Sequence, residues 1–350
     1  MKGIRALARH LDLSMSTVSK ALNGRFDINA DTRERVLKGA AKLGYVANQS
    51  GRALRQGTTR TVGFMIESNQ ASSTDSDNFF MAVCDGVQNV FRRHRLDLIV
   101  LPCASDEDPA EYLGRIVARG LVDALIISAT RHNDPRIALL ENAKVPFVTL
   151  GRSGDVTHPW VEMDFEGVAK LSVDRLVERG HQRIAVSLPE TDLNLGHLFL
   201  KGYKKALKSH GIPFASELAV RTKSSEAGGY ELGSTLLKLR PRPTAVILSY
   251  ELPAGGLYRA LNDTGIIPGQ DLGVIAFRES LITQHLVPRI TSFATSLRDL
   301  GIALGETLLS TMPDFRDAYP HAALQRIFPM ELVAGDSDPP LVNPVRGSDT

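Results

Sequence analysis

The chain has 350 residues, 43% of them hydrophobic, which is enough for two or three domains with real cores. No apolar run approaches the length of a membrane span, and the N-terminus lacks the apolar core and small-residue cleavage site of a secretory signal. The two cysteines, Cys84 and Cys103, show no CxxC spacing, so free thiols in a cytoplasmic protein are expected, with no metal site, no cofactor and no membrane partner. The formal charge of +2 conceals an uneven distribution. Residues 1–60 carry twelve Lys/Arg against four acids, whereas the remaining chain carries 29 basic against 35 acidic residues. A basic head on a mildly acidic body is the electrostatic footprint of phosphate binding.

Along the chain, Ile4, Leu7, Ala8 and Leu11 recur at helical spacing. Asp12 and Leu13 make a turn, and Ser14 is a suitable N-cap for a second helix that buries Val18, Ala21 and Leu22 and stops at Asn23-Gly24. The outer face of that second helix is Met15, Ser16, Thr17, Ser19 and Lys20, small and polar where base edges would lie in a helix-turn-helix. Asn29 caps a third helix, with Thr32, Val36, Ala40 and Leu43 on one face and Arg33 among its outer residues. A short amphipathic piece, Gln49 to Leu54, and a polar stretch to Arg60 follow.

Four ordered signatures lie in this region: Ser16-Thr17-Val18-Ser19 with Leu22-Asn23-Gly24, Thr32 to Leu37, Leu43-Gly44-Tyr45, and Arg52 to Arg55 with Thr61-Val62-Gly63. With them the chain resembles the LacI/GalR family of bacterial transcription regulators. The resemblance implies a homodimer on double-stranded operator DNA, contacted by Met15, Ser16, Thr17, Ser19, Lys20, Asn23, Arg33, Asn48, Arg52, Leu54 and Arg55. It also implies a hinge helix whose Leu54 wedges into the minor groove. Lys20 stands where the family usually has Arg, which keeps the charge but not the paired donors, so a phosphate contact is as open as a base contact.

From residue 61 short apolar runs alternate with helical patterns. Strands are expected at Val62–Ile66, Leu96–Leu101, Val122–Ile127, Pro146–Leu150, Ile184–Leu188, Thr244–Leu248 and Leu272–Phe277, with Trp160–Asp164 opening a second series. Near-continuous apolar strands separated by helices imply parallel sheets covered on both faces, here in two lobes with ligand-facing loops at the strands' carboxyl ends. The fold class expected is therefore α/β: a three-helix helix-turn-helix head (1–46), a hinge (47–60) and a two-lobed effector domain. The family's effector domain has the type I fold of periplasmic sugar-binding proteins. By that resemblance the N-terminal lobe is 61–160 plus about 293–325, and the C-terminal lobe is 161–292 plus about 326–337. Residues 338–350, rich in Pro, Asp and Gly, read as a disordered tail without the leucine heptads of a tetramerising coil.

No GxGxxG after a strand, phosphate loop, HExxH or GxSxG elbow occurs, so no catalytic residue is assigned and no enzyme is expected. A repressor of a carbohydrate uptake or catabolism operon is the first reading. A cytosolic sugar-binding or sugar-modifying α/β protein without an operator is the alternative. For the effector the resemblance points to Phe79, Phe80, Arg152, His197, Phe199, Tyr250, Glu251 and Arg278. Phe79 and Phe80 are equally well read as core aromatics opening a helix. Arg278 occupies a position where the family usually presents an aspartate, which opens the way to a sugar acid or sugar phosphate. Pairing of Arg278 with Glu251 or Glu279 would instead leave a neutral sugar, the reading placed first.

Overall fold

The computed structural model of the chain describes residues 3–22, 27–45, 58–67, 74–154 and 157–341. Asn23, Asn48, Arg52, Leu54 and Arg55, with the hinge as far as residue 57 and the tail from residue 342, lie outside the described residues. Two compact units result, Met1–Thr59 and Arg60–Thr350.

The first unit holds α1 (Ile4–Leu11), α2 (Met15–Leu22) and α3 (Ala30–Lys42). Leu7, Ala8, Val18, Ala21, Val36 and Ala40 form its buried core, with Ile4, Leu11 and Leu22 packed around them. Asp12 takes the left-handed conformation at φ 52° that ends α1, a role in which Asp tolerates what most residues do not. Ser14 Oγ accepts from the Thr17 amide at 3.0 Å, and Asn29 accepts from the Asp31 amide at 2.9 Å. Leu43, expected on the buried face of α3, is instead 41% exposed at its C-cap, because the helix ends one residue earlier.

The second unit contains two parallel sheets. Strands β1 (Thr61–Glu67), β2 (Asp97–Cys103), β3 (Ala124–Ile127), β4 (Phe147–Leu150), β5 (Trp160–Met163) and β11 (Gln325–Phe328) form one sheet in the order β11-β5-β4-β3-β1-β2. Strands β6 (Ile184–Pro189), β7 (Ala219–Thr222), β8 (Ala245–Leu248) and β9 (Gly273–Ala276) form the other in the order β7-β6-β8-β9. A short antiparallel pair, β10 (Ser292–Ala294) and β12 (Glu331–Val333), completes the strands. Trp160–Met163 does not open the second series: it pairs with β4 and β11 and so belongs to the first sheet. The lobe boundary accordingly falls after Met163, and β11 stays with the N-terminal lobe as far as Phe328.

Helices α4 (Thr74–Phe91), α5 (Pro109–Arg119), α6 (Pro135–Ala143) and α12 (Leu297–Thr311) belong to the first lobe. The second carries α7 (Phe165–Glu178), α8 (Asn194–Ser209), α9 (Glu226–Lys238), α10 (Pro253–Asp263) and α11 (Leu281–His285). Helix α12 packs on α4 through Gly86 and Gly301: a Cβ on Gly86 would lie 2.9 Å from the Gly301 Cα and nearer still to the Arg298 carbonyl oxygen. That close approach fixes α4, whose first turns carry Phe79 and Phe80. Residues 338–341, expected within the disordered stretch, are held against the second lobe. Asp338 is buried against Arg175 at 2.5 Å and Arg179 at 3.4 Å, and the Leu341 amide donates to the Arg179 carbonyl.

Candidate functional site

Two surfaces carry the expected residues. In the first unit Met15, Ser16 and Lys20 are exposed along α2, Thr17 and Ser19 are half-buried, and Arg33 is exposed on α3. Lys20 Nζ lies 2.6 Å from an Asp27 carboxylate oxygen. Arg35 donates to the Leu11 carbonyl at 2.7 Å, tying α3 to the end of α1 and holding the turn that sets the angle of α2.

The second surface is a cavity of about 200 Å³ between the lobes, at the carboxyl ends of strands from both sheets. This is where open α/β sheets place ligands. Phe79 and Phe80 form one wall with their rings edge to face at 5.1 Å, and Phe165 stacks on Phe277 at 4.6 Å on another. Glu67, Glu162 and Glu251 bring carboxylates to the lining, and each has a guanidinium partner. Arg131 grips Glu67 with paired donors at 3.1 and 3.0 Å. Arg278, nine-tenths buried, pairs with Glu251 and lies 5.2 Å from the Phe79 ring centroid. The Tyr250 hydroxyl makes no hydrogen bond among the described residues, and burial pushes it above its ordinary value. Burial likewise pushes the Glu162 carboxyl up to about 7, which the charge of Arg152 offsets only in part.

Five expected effector residues thus come together at the cavity: Phe79, Phe80, Tyr250, Glu251 and Arg278. Three do not. Phe199 is fully buried one layer behind the lining, edge-on to Phe277, because its helical position faces the core rather than the cleft. His197 stacks on His132 at 4.6 Å outside the cavity and pairs with Asp192 at 2.5 Å. Arg152 turns its guanidinium to Glu162, 3.2 Å away, and over the Trp160 ring.

Arg136 was not anticipated. It is fully buried and donates to Asp134, to Glu67 at 2.8 Å, and to the carbonyls of Ser128 and Ala129 at 3.0 and 3.1 Å. Burial pushes the Asp134 carboxyl up, but the hydrogen bond and charge of Arg136 more than offset it and hold it below the ordinary value. Ala129, in the cavity lining, has φ 54°, a strained conformation for a residue with a Cβ. Arg136 holds that strained turn in place. The sequence clue was an arginine between Pro135 and Ile137, in the first turn of a helix capped by Asp134. Cys84 and Cys103 are free thiols, and no helix among the described residues is long and apolar enough to cross a membrane.

These features define a class of protein: a helix-turn-helix unit carried by a two-lobed α/β ligand-binding domain. Residues 4–48 match the family model "Bacterial regulatory proteins, lacI family", and residues 173–337 match "Periplasmic binding protein-like domain". The HTH-type transcriptional regulator AglR of Rhizobium meliloti (strain 1021) is 32% identical over 328 residues, covering 92% of this chain and 91% of AglR. Among solved structures, the lac repressor dimer bound to operator and the anti-inducer ONPF has the same fold. Its TM-score is 0.80 at 22% identity, covering 95% of this chain and 98% of that one. The CelR–cellobiose complex matches with a TM-score of 0.71 at 23% identity, covering 96% and 100%. The chain belongs to the lacI family of bacterial regulatory proteins; it is a DNA-binding transcriptional regulator rather than an enzyme.

Proposed function

We propose that this regulator represses a carbohydrate uptake or catabolism operon as a homodimer, and that a small neutral carbohydrate in the interlobe cavity releases it from DNA. The observation that carries the reading is the pairing of all three lining carboxylates with arginines. The cavity therefore offers acceptors without net charge, between aromatic walls suited to the C–H faces of a sugar ring. Carboxylate oxygens accept from sugar hydroxyls, and the Tyr250 hydroxyl is at hand for another. A sugar acid or sugar phosphate would have to compete with Glu251 for Arg278, so the anionic reading ranks second. Relatives fit this class: the CelR complex holds cellobiose, and a LacI-family regulator from Enterococcus faecium holds ribose.

On DNA, Met15, Ser16, Thr17, Ser19 and Lys20 face the major groove, with Arg33 on phosphate; Asn23, Asn48, Arg52, Leu54 and Arg55 complete the contact set that the family resemblance implies. By linkage, effector weakens operator binding by the factor by which operator weakens effector binding. A thermal-shift panel of neutral sugars and sugar acids on the full chain, followed by operator titration with each hit, tests the reading. A stabilising neutral sugar that lowers operator affinity supports it. Stabilisation by anions alone, or the absence of palindromic sites in genomic footprinting, would overturn it.

A further inference from the structure

At one rim of the cavity the two lobes are joined by main chain as well as side chains. Arg131, after β3 of the first lobe, forms an isolated antiparallel bridge with Leu193 of the second. Next to it stands Asn194, the first residue of α8, 2% exposed. Its amide donates to the Thr130 carbonyl at 2.9 Å, its Nδ2 donates to the Arg152 carbonyl at 2.9 Å, and its Oδ1 lies 2.9 Å from His132 Nδ1. Every one of these partners is in the opposite lobe. Thr130 reinforces the arrangement from its own side, its hydroxyl donating to the same Arg152 carbonyl at 3.1 Å.

We infer that Asn194 is a positioning residue for effector binding: it latches the closed cleft without touching the effector. A residue at a helix start ordinarily satisfies its side chain within its own helix, whereas Asn194 spends both side-chain groups across the cleft. Opening the lobes would strip a buried amide side chain of its partners, which is costly until water replaces them. The latch is also wired to the cavity. The loop residue whose carbonyl Asn194 grips, Arg152, contacts Glu162 through its backbone N–H at 3.1 Å, and Glu162 lines the cavity. An effector that draws on Glu162 therefore acts on the loop that Asn194 holds. The inference takes the cavity as the effector site from the reading above, but the state of the latch can be measured without any ligand.

Hydrogen exchange read by mass spectrometry on the ligand-free full chain provides the test. In Asn194→Ala the amides of 128–134 and 191–196 should exchange about tenfold faster, the scale expected for losing side-chain hydrogen bonds of ordinary net strength. Exchange in β1 and β6 should stay unchanged. His132→Ala, at a half-buried position outside both cores, should accelerate the same two segments by a smaller factor. His132→Gln, which keeps a donor toward Asn194 Oδ1, should restore part of the protection. Unchanged exchange in both segments, or acceleration spread evenly over the sheets, overturns the latch. A latch confirmed in this way while no sugar stabilises the protein would overturn the carbohydrate reading alone.

Discussion

Arg278 and Glu251 form a buried ion pair on the C-terminal lobe's side of the cavity, with the Phe79 ring of the other lobe against the guanidinium. The pair decides what the arginine can offer. A guanidinium already satisfied by a carboxylate has little to gain from a second anion, and separating a buried pair exposes both charges to desolvation. Glu251→Gln should therefore release Arg278 and reverse the ligand preference. In a thermal-shift comparison, galacturonate should raise the midpoint of the variant more than galactose does, with the opposite order in the wild type. The same order in both proteins would show that the pair does not set selectivity.

Glu162 makes stability depend on pH. Its carboxyl, ordinarily near 4.5, titrates at about 7 in the fold because burial disfavours the anion. The folded protein thus keeps a proton that the unfolded chain releases, and stability is lost as pH rises from about 4.5 through 7. Glu162→Gln, which mimics the protonated form, should gain on the wild type across that window by up to roughly 3 kcal/mol. Urea denaturation at pH 5, 6, 7 and 8 measures the difference. A difference that does not vary with pH would place the titration of Glu162 at its ordinary value.

Two arginines on Glu67 should behave very differently. Arg136 is fully buried, and its removal leaves Asp134 and Glu67 short of compensation. Arg136→Met should cost about 3–5 kcal/mol. The Arg131 side chain is one-third exposed, and its truncation should cost about 1 kcal/mol or less. Chemical denaturation of both variants checks the ratio, and equal losses would contradict the bracing role of Arg136.

In the first unit Lys20 is paired with Asp27, which under the proposed DNA contacts would compete with nucleic acid for its charge. Both side chains are about half exposed, so the pair itself adds little stability. Asp27→Ala should tighten operator binding roughly two- to fivefold at low salt, with the gain fading as salt rises and screens both interactions. Fluorescence anisotropy against a salt series tests this. Looser binding would mean that Asp27 positions Lys20 for DNA instead.

Base-reading and phosphate-binding residues should separate by their pattern. Substituting Met15 and Ser16 should change which half-site is preferred, while Arg33→Ala should weaken all sequences alike. Selection from a randomised operator library distinguishes the two; unchanged preference after replacing Met15 and Ser16 would remove them from the base contacts.

Periodicity, caps and turn residues determined the local elements. The three helices of the first unit were legible from Leu7, Val18 and Val36 at helical spacing and from the caps Ser14 and Asn29. The alternation of apolar runs with helices likewise implied parallel sheets with a cavity at their carboxyl ends. These features depend on residues a few positions apart, so the sequence carries them directly. Helix α12 and strand β7 are not marked by the pattern, and Trp160–Asp164, expected to open a second series, contributes its strand to the first sheet instead, because strand partnership is a choice among distant segments. Tertiary structure alone decided which charges meet: Arg278 finds Glu251 across 27 positions, Arg136 finds Glu67 across 69, and Arg175 finds Asp338 across 163. It also turned Phe199 into the core and Arg152 onto Glu162. A side chain's chemistry is set by its residue type, but its partner is set by how the whole chain closes around it, and no local pattern records that closure.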